Sequence, residues 1–190
     1  MKLKNSPRLF LVRTVAFVWL ISTSVNCSKK EESPQPLSLP PETTNGAMTF
    51  GCKINGEIFT NSPGSTLSAN YENRVTGPDK GWFFSTSVSV SGNRYTSVEI
   101  GTDSLQLLQG ANYQISALDP DGGNAYGIYF IDKTTGFELF NAAPQGSGNL
   151  FITKLDEVNK IISGTFSFTC YNNLGILAAT ITEGRFDVRY

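Results

Sequence analysis

From Met48 onward the apolar residues recur with period two. Met48, Phe50, Cys52 and Ile54 alternate with smaller or polar residues, the pattern of a half-buried strand. Asn55-Gly56 follows, a dipeptide that favours a tight hairpin because both central residues adopt positive φ, and residues 57–60 return. Residues 61–80 are mostly polar and predict a long loop with one short strand near 66–71. Trp82, Phe84, Thr86, Val88 and Val90 then share one face, with Ser85, Ser87, Ser89 and Ser91 on a solvent face opposite. Gly92-Asn93 turns the chain back into 94–100. Residues 104–109 (SLQLLQ) predict one helical turn or a crossover. Further strands are expected over 112–118, 125–131, 136–141, 149–155, 160–171, 176–182 and 185–190.

This pattern predicts an all-β domain over 48–190, an antiparallel β-sandwich of about ten strands, with a small barrel as the alternative. The 18 glycines fit that many tight turns. No segment of the domain carries a long apolar stripe at helical spacing.

Ahead of this body the pattern changes twice. Lys2, Lys4, Arg8 and Arg13 precede an apolar run over 14–25, and Cys27 follows directly. A charged start, a short apolar run and a cysteine at the cut describe a lipoprotein signal peptide over 1–26, with lipid expected on Cys27. The run is shorter than the roughly 20 apolar residues of a spanning helix. Ser24, Val25 and Asn26 depart from the usual small-residue box before the cysteine, so an uncleaved anchor and an ordinary signal cut elsewhere are the competing readings. Residues 27–47 contain Pro34, Pro36, Pro40 and Pro41 and predict a flexible, partly polyproline spacer.

Charge narrows the partners. The chain has 15 basic and 16 acidic residues; four basic ones leave with the leader, so 11 stand against 16, a net −5. A nucleic-acid partner, which needs a basic face, is not expected. The expected membrane contact is the lipid rather than an electrostatic patch.

The candidate chemistry is sparse. There is no histidine, which removes the commonest general base, histidine-dependent triads and the usual zinc sites. No catalytic residue and no cofactor are expected. Cys52 and Cys170 both fall on apolar faces of predicted strands; in an oxidising compartment a disulfide is favoured over two buried free thiols. Asp119, Asp121 and Asn124 resemble a fragment of a calcium loop, in residue types that any hairpin turn also uses. Carboxylates, Glu99 and Asp187 among them, are scattered, and a hydrolase would need two of them facing across a substrate. Among the aromatics, Phe83 and Tyr129 are the expected exposed binding surface, because each lies between apolar neighbours that point the other way.

The stretches FGCKINGEIF, ISGTFSFTCYN and ITEGRFDVRY resemble a family of small β-rich lipoproteins of Bacteroidota whose function is unknown. The likeness implies a sandwich-like domain and brings no activity or site residues. In that lineage Ser28-Lys29-Lys30-Glu31-Glu32 resembles a surface-export tag, and Asp103-Ser104-Leu105 resembles an O-glycosylation acceptor at Ser104. The expectation is an outer-membrane lipoprotein on the periplasmic face or the cell surface. Its domain would be a non-catalytic binding module for a protein or glycan partner. The alternatives are a structural accessory subunit of an outer-membrane assembly and, third, a carboxylate-dependent hydrolase.

Overall fold

A computed structural model describes residues 37–76, 80–91, 95–119, 121–133, 136–144 and 147–190. The leader, Cys27, the export-tag stretch and the Gly92-Asn93 turn lie outside the described residues.

The described chain is all-β. Eleven strands form one mixed sheet: β1 (Thr49–Ile54), β2 (Glu57–Thr60), β3 (Ser65–Arg74), β4 (Gly81–Val90), β5 (Thr96–Asp103), β6 (Asn112–Ser116), β7 (Asn124–Lys133), β8 (Gly136–Ala142), β9 (Gly148–Asp156), β10 (Ile161–Tyr171) and β11 (Leu177–Arg189). Their order is β2-β1-β11-β10-β9-β6-β7-β5-β4-β3, and β8 joins β7 to the end of β10. The sequence predicts antiparallel pairing; β6 and β7 run parallel, over a two-residue register. Pairing therefore runs in a circuit through β10, β9, β6, β7, β8 and back to β10.

Because the sheet coils, strands far apart in its order meet across one core. Phe84 on β4 faces Phe186 on β11, with ring centroids 5.6 Å apart. Phe166 touches both Phe50 (5.2 Å) and Phe186 (6.4 Å). Phe50, Phe84, Phe168, Ile152 and Ile181 are almost fully buried, each contributing about 1.5–3 kcal/mol through lost apolar exposure.

Local sequence explains several boundaries. Asn55 (φ 52°) and Gly56 (φ 90°) turn β1 into β2 as predicted. Residues 61–80 depart from the predicted loop: β3 runs ten residues and pairs with β4 from Ser65↔Val90 to Arg74↔Gly81. The segment 104–109 is not helical; it is an irregular crossing whose Leu107 is fully buried. The two strands predicted over 176–190 are one. Glu183-Gly184 reads as a turn but forms a bulge, since Gly51 pairs with Arg185 and Lys53 with Thr182, so two residues of β11 oppose Cys52. Glu183 takes φ 51°, and a Cβ on Gly184 would come within 2.5 Å of the Phe166 ring.

The predicted spacer also changes. Its end is a strap bound to the sheet. Pro40 packs over Gly51, where a Cβ would come 2.5 Å from the proline ring. Asp187, 1% exposed, accepts from the Thr43 hydroxyl (2.7 Å), the amides of Asn45 (3.0 Å), Gly46 (2.8 Å) and Ala47 (3.0 Å), and the Ser163 hydroxyl (2.6 Å). Arg189 adds a bond to the Asn45 carbonyl. Buried charge is tolerated only when hydrogen-bonded, and five donors meet that condition.

Candidate functional site

Strand β7 decides where the surface chemistry lies. Expectation put Tyr129 outside and its neighbours inside; the strand sits the other way round. Tyr129 is 9% exposed and stacks on Phe140 at 5.8 Å. The inner face of β7 carries small residues, Ala125 and Gly127, because Phe168 of β10 fills the space opposite. A Cβ on Gly127 would come within 2.8 Å of that ring. Tyr126, Ile128 and Phe130 consequently point outward.

These residues meet outward-facing neighbours on both sides. Phe130 pairs in register with Ser97 on β5 and Leu139 on β8, and Ile128 with Glu99 and Asn141. Tyr95, Phe130 and Phe137 form a row of rings: Tyr95 meets Phe130 edge-on at 5.4 Å, and Phe130 stacks on Phe137 at 5.7 Å. Phe137 is 75% exposed and Leu139 47%. A shallow groove of about 290 Å³ runs between Tyr95, Ser97, Glu99, Ile128, Phe130 and Leu139. Hydroxyls brace its wall, with Tyr95 donating to Ser89 (2.7 Å) and Ser89 to Ser97 (3.2 Å).

Glu99 stands at the polar end of the groove. Its Oε1 accepts the Tyr126 hydroxyl at 2.8 Å. Tyr126 reaches it by lying over Gly101, where a Cβ would come 2.6 Å from the phenol. Burial, and then the Glu99 charge, push the Tyr126 hydroxyl well above its ordinary pKa, so it remains a donor at neutral pH.

Phe83, the other expected surface aromatic, is half-buried on β4. The Arg74 guanidinium lies 4.3 Å above its ring and is itself paired with Glu72 at 2.7 Å. Phe83 thus holds an internal cation.

A second hollow, of about 750 Å³, opens where β8 hands over to β9 along β10. Asn141, Asn172, Asn173, Ser147, Thr169 and Tyr171 supply its polar lining.

The other expected sites are placed as follows. Asp119 Oδ1 accepts the Asp121 amide, and Asn124 bonds to Ser116, Ala117 and Ala125, so these groups organise the turn into β7. Among the described residues no group of three or more acidic or cysteine side chains is arranged to hold a metal. Ser104 is exposed, at φ 50°, with its hydroxyl donating to Lys80 O and Asp103. The expected disulfide is absent. Cys52 and Cys170 are free, buried thiols, each pushed up to about 12 by burial first and, for Cys52, by its neighbour Cys170. Strand β11 lies between theirs. Strands two apart are roughly 9–10 Å from each other, whereas a disulfide needs Cα atoms about 4.4–6.8 Å apart.

The outward residues Ile128, Phe130 and Leu139 escaped the sequence reading, and Glu99 stood there only as one of many scattered carboxylates. The available signal was the small-bulky alternation Ala125-Tyr126-Gly127-Ile128, which puts volume on one face of the strand.

Comparison with protein-family models, with curated proteins and with solved structures found no match to this chain.

Proposed function

We propose that this chain is a non-catalytic envelope lipoprotein, moored through lipid on Cys27, whose outer β5–β7–β8 face binds a protein partner. The observation that carries the binding reading is the solvent-side row of Tyr95, Phe130, Phe137 and Leu139. A strand that faces its small residues inward and its bulky ones outward gives up apolar burial within the fold. A partner that covers the row recovers it. Aromatic anchors flanked by aliphatics are also the composition of energetic centres in protein interfaces. The leader and the cysteine support a tethered, extracytoplasmic setting.

The test compares wild-type chain and a Phe130→Ser/Leu139→Ser variant as cross-linking baits in their own envelope. The wild type retains a discrete partner, and the variant loses retention by about tenfold or more while keeping its β-sheet circular dichroism. Equal retention by both refutes the surface. Palmitate labelling that is lost with Cys27→Ser tests the mooring; a wild-type chain as unlabelled as the variant refutes it.

The amide-lined hollow favours a second reading, a glycan ligand. Asn141 and Asn173 bring paired donors and acceptors to one concavity with Tyr171 as an apolar wall, while Asn172 Oδ1 is held by the amides of Leu174 and Ile176. Glycan-array binding lost on Asn141→Ala/Asn173→Ala substitution would move the function there.

A further inference from the structure

Resting on that reading of the outer face, we propose that its groove recognises one basic side chain of the partner polypeptide, held between Glu99 and the Tyr95 and Phe130 rings.

The same side of the sheet contains a completed version of this arrangement. Glu72, Phe83 and Arg74 bring together a carboxylate, an aromatic ring and a guanidinium, with the cation 4.3 Å above the ring and 2.7 Å from the acid. Around Glu99 the carboxylate and the rings recur, and among the described residues no cation supplies the third member. Oε1 accepts the Tyr126 hydroxyl, and no described side chain forms an ion pair with Glu99.

The surroundings fit a cation in other respects. Ser97 and Glu99 offer acceptor oxygens on one side of the groove, while Ile128, Phe130 and Leu139 present apolar surface for an alkyl stem on the other. Ring faces attract a cation through their quadrupole. A groove of about 290 Å³ accommodates a single long side chain rather than a helix or a folded loop. The processed chain's net −5 also favours a basic partner during approach. Tyr126 is a positioning residue: over Gly101, it fixes one carboxylate oxygen of Glu99, whose side chain lines the groove.

The experiment uses the full-length chain in detergent, with its isoleucine and leucine methyls carbon-labelled. Acetyl-Gly-Arg-Gly-amide is titrated against the citrulline peptide, which keeps the shape and loses the charge. The Ile128 and Leu139 methyl signals shift with the arginine peptide in the millimolar range, and about tenfold more weakly with citrulline. Glu99→Gln removes that preference. Wild-type shifts of the buried Ile152 methyls in Glu99→Gln guard against a folding failure of that variant, and Tyr126→Phe, which frees the carboxylate, narrows the arginine–citrulline gap without abolishing it. Raised salt weakens only the arginine response.

Equal responses to the two peptides, no response to either, or a preference that survives Glu99→Gln would overturn the proposal. If the Phe130/Leu139 variant loses its partner while the two peptides behave alike, the surface stands and the cation is wrong. If the peptides are discriminated while that variant keeps its partner, the surface reading is the one that fails.

Discussion

Replacing Asp187 should separate the strap from the sheet by a calculable amount. In the wild type Oδ2 accepts from Thr43, Asn45 and Ala47, and Oδ1 from Ser163 and Gly46. In Asp187→Asn, the amide oxygen takes the Oδ2 position and keeps three donors, now as neutral bonds. The amide nitrogen takes the other position, where Ser163 can rotate to accept but the Gly46 amide meets a second donor. Bonds to a charged acceptor are worth about 1.5–3 kcal/mol and neutral ones about 0.5–1.5. Water reaches the exposed Asn45 and Ala47 and offsets part of the loss. The net cost is about 2 kcal/mol, roughly a 1 M fall in urea midpoint for a domain of this size. Asp187→Ala also leaves the buried Ser163 hydroxyl without its acceptor and opens a cavity, for about 4 kcal/mol. The pH dependence has a fixed sign. Burial raises the carboxyl pKa, but the bonds from Ser163, Thr43, Ala47 and Gly46 outweigh it, and the net shift is below the ordinary value of 3.8. The stabilisation is therefore fully present above the unfolded-state pKa of about 3.9 and is lost as pH falls through the lower folded-state value. The wild type's advantage over the Asn variant should be constant from pH 7 to 5 and shrink below pH 4. Urea unfolding across that range measures it, and amide exchange at residues 45–47 reports whether the strap has come away. A midpoint for Asp187→Ala within 0.2 M of wild type (roughly 0.4 kcal/mol), with those amides still protected, would refute the clamp.

Two further outcomes test the fold behind the surface. Gly127→Ala should cost about 1–3 kcal/mol by overpacking against Phe168, while Ile128→Ser on the outer face should cost less than about 0.5 kcal/mol; the reverse order in thermal or urea unfolding would mean that β7 is assigned to the wrong face. Cys52 and Cys170, buried and pushed up to about 12, should resist iodoacetamide at pH 8 in the native chain and react at once in urea; rapid native alkylation, or failure to react after unfolding without reductant, would contradict two buried free thiols.

The features that local chemistry determines were legible. Asn55-Gly56 demands positive φ wherever it occurs, and it turns β1 into β2. The serine row of β4 faces outward because Phe84, Thr86 and Val88 are bulkier and less polar than their neighbours, and these three are the buried ones. Glu183-Gly184 carries the same kind of local signal, and it misled. Positive φ is needed there too, but β1 passes beside it, and the extra residue is absorbed as a bulge opposite Cys52. The conformation was readable from two residues; its use depended on a strand more than 100 residues earlier in the chain.

The same distinction explains the candidate site. Period two establishes that β7 has two faces, but both contain apolar residues, so hydrophobicity alone does not choose between them. The choice is made by Phe168, which arrives from β10 and leaves room only for Gly127. Once that contact is known, the outward position of Ile128 and Phe130 follows from strand geometry. Asp187 is a parallel case: one of many scattered acids in the sequence, it becomes the anchor of the strap because Thr43 and the amides of residues 45–47 converge on it. In each instance the informative quantity is complementarity between distant segments. This also gives the outward bulk of β7 its meaning. Phe168 could have been accommodated with serine or threonine on the solvent side, as β4 carries its own outer face, so the core does not require Ile128, Phe130 and Leu139 there. Their presence is the part of the pattern that folding leaves unexplained and that the proposed partner would account for.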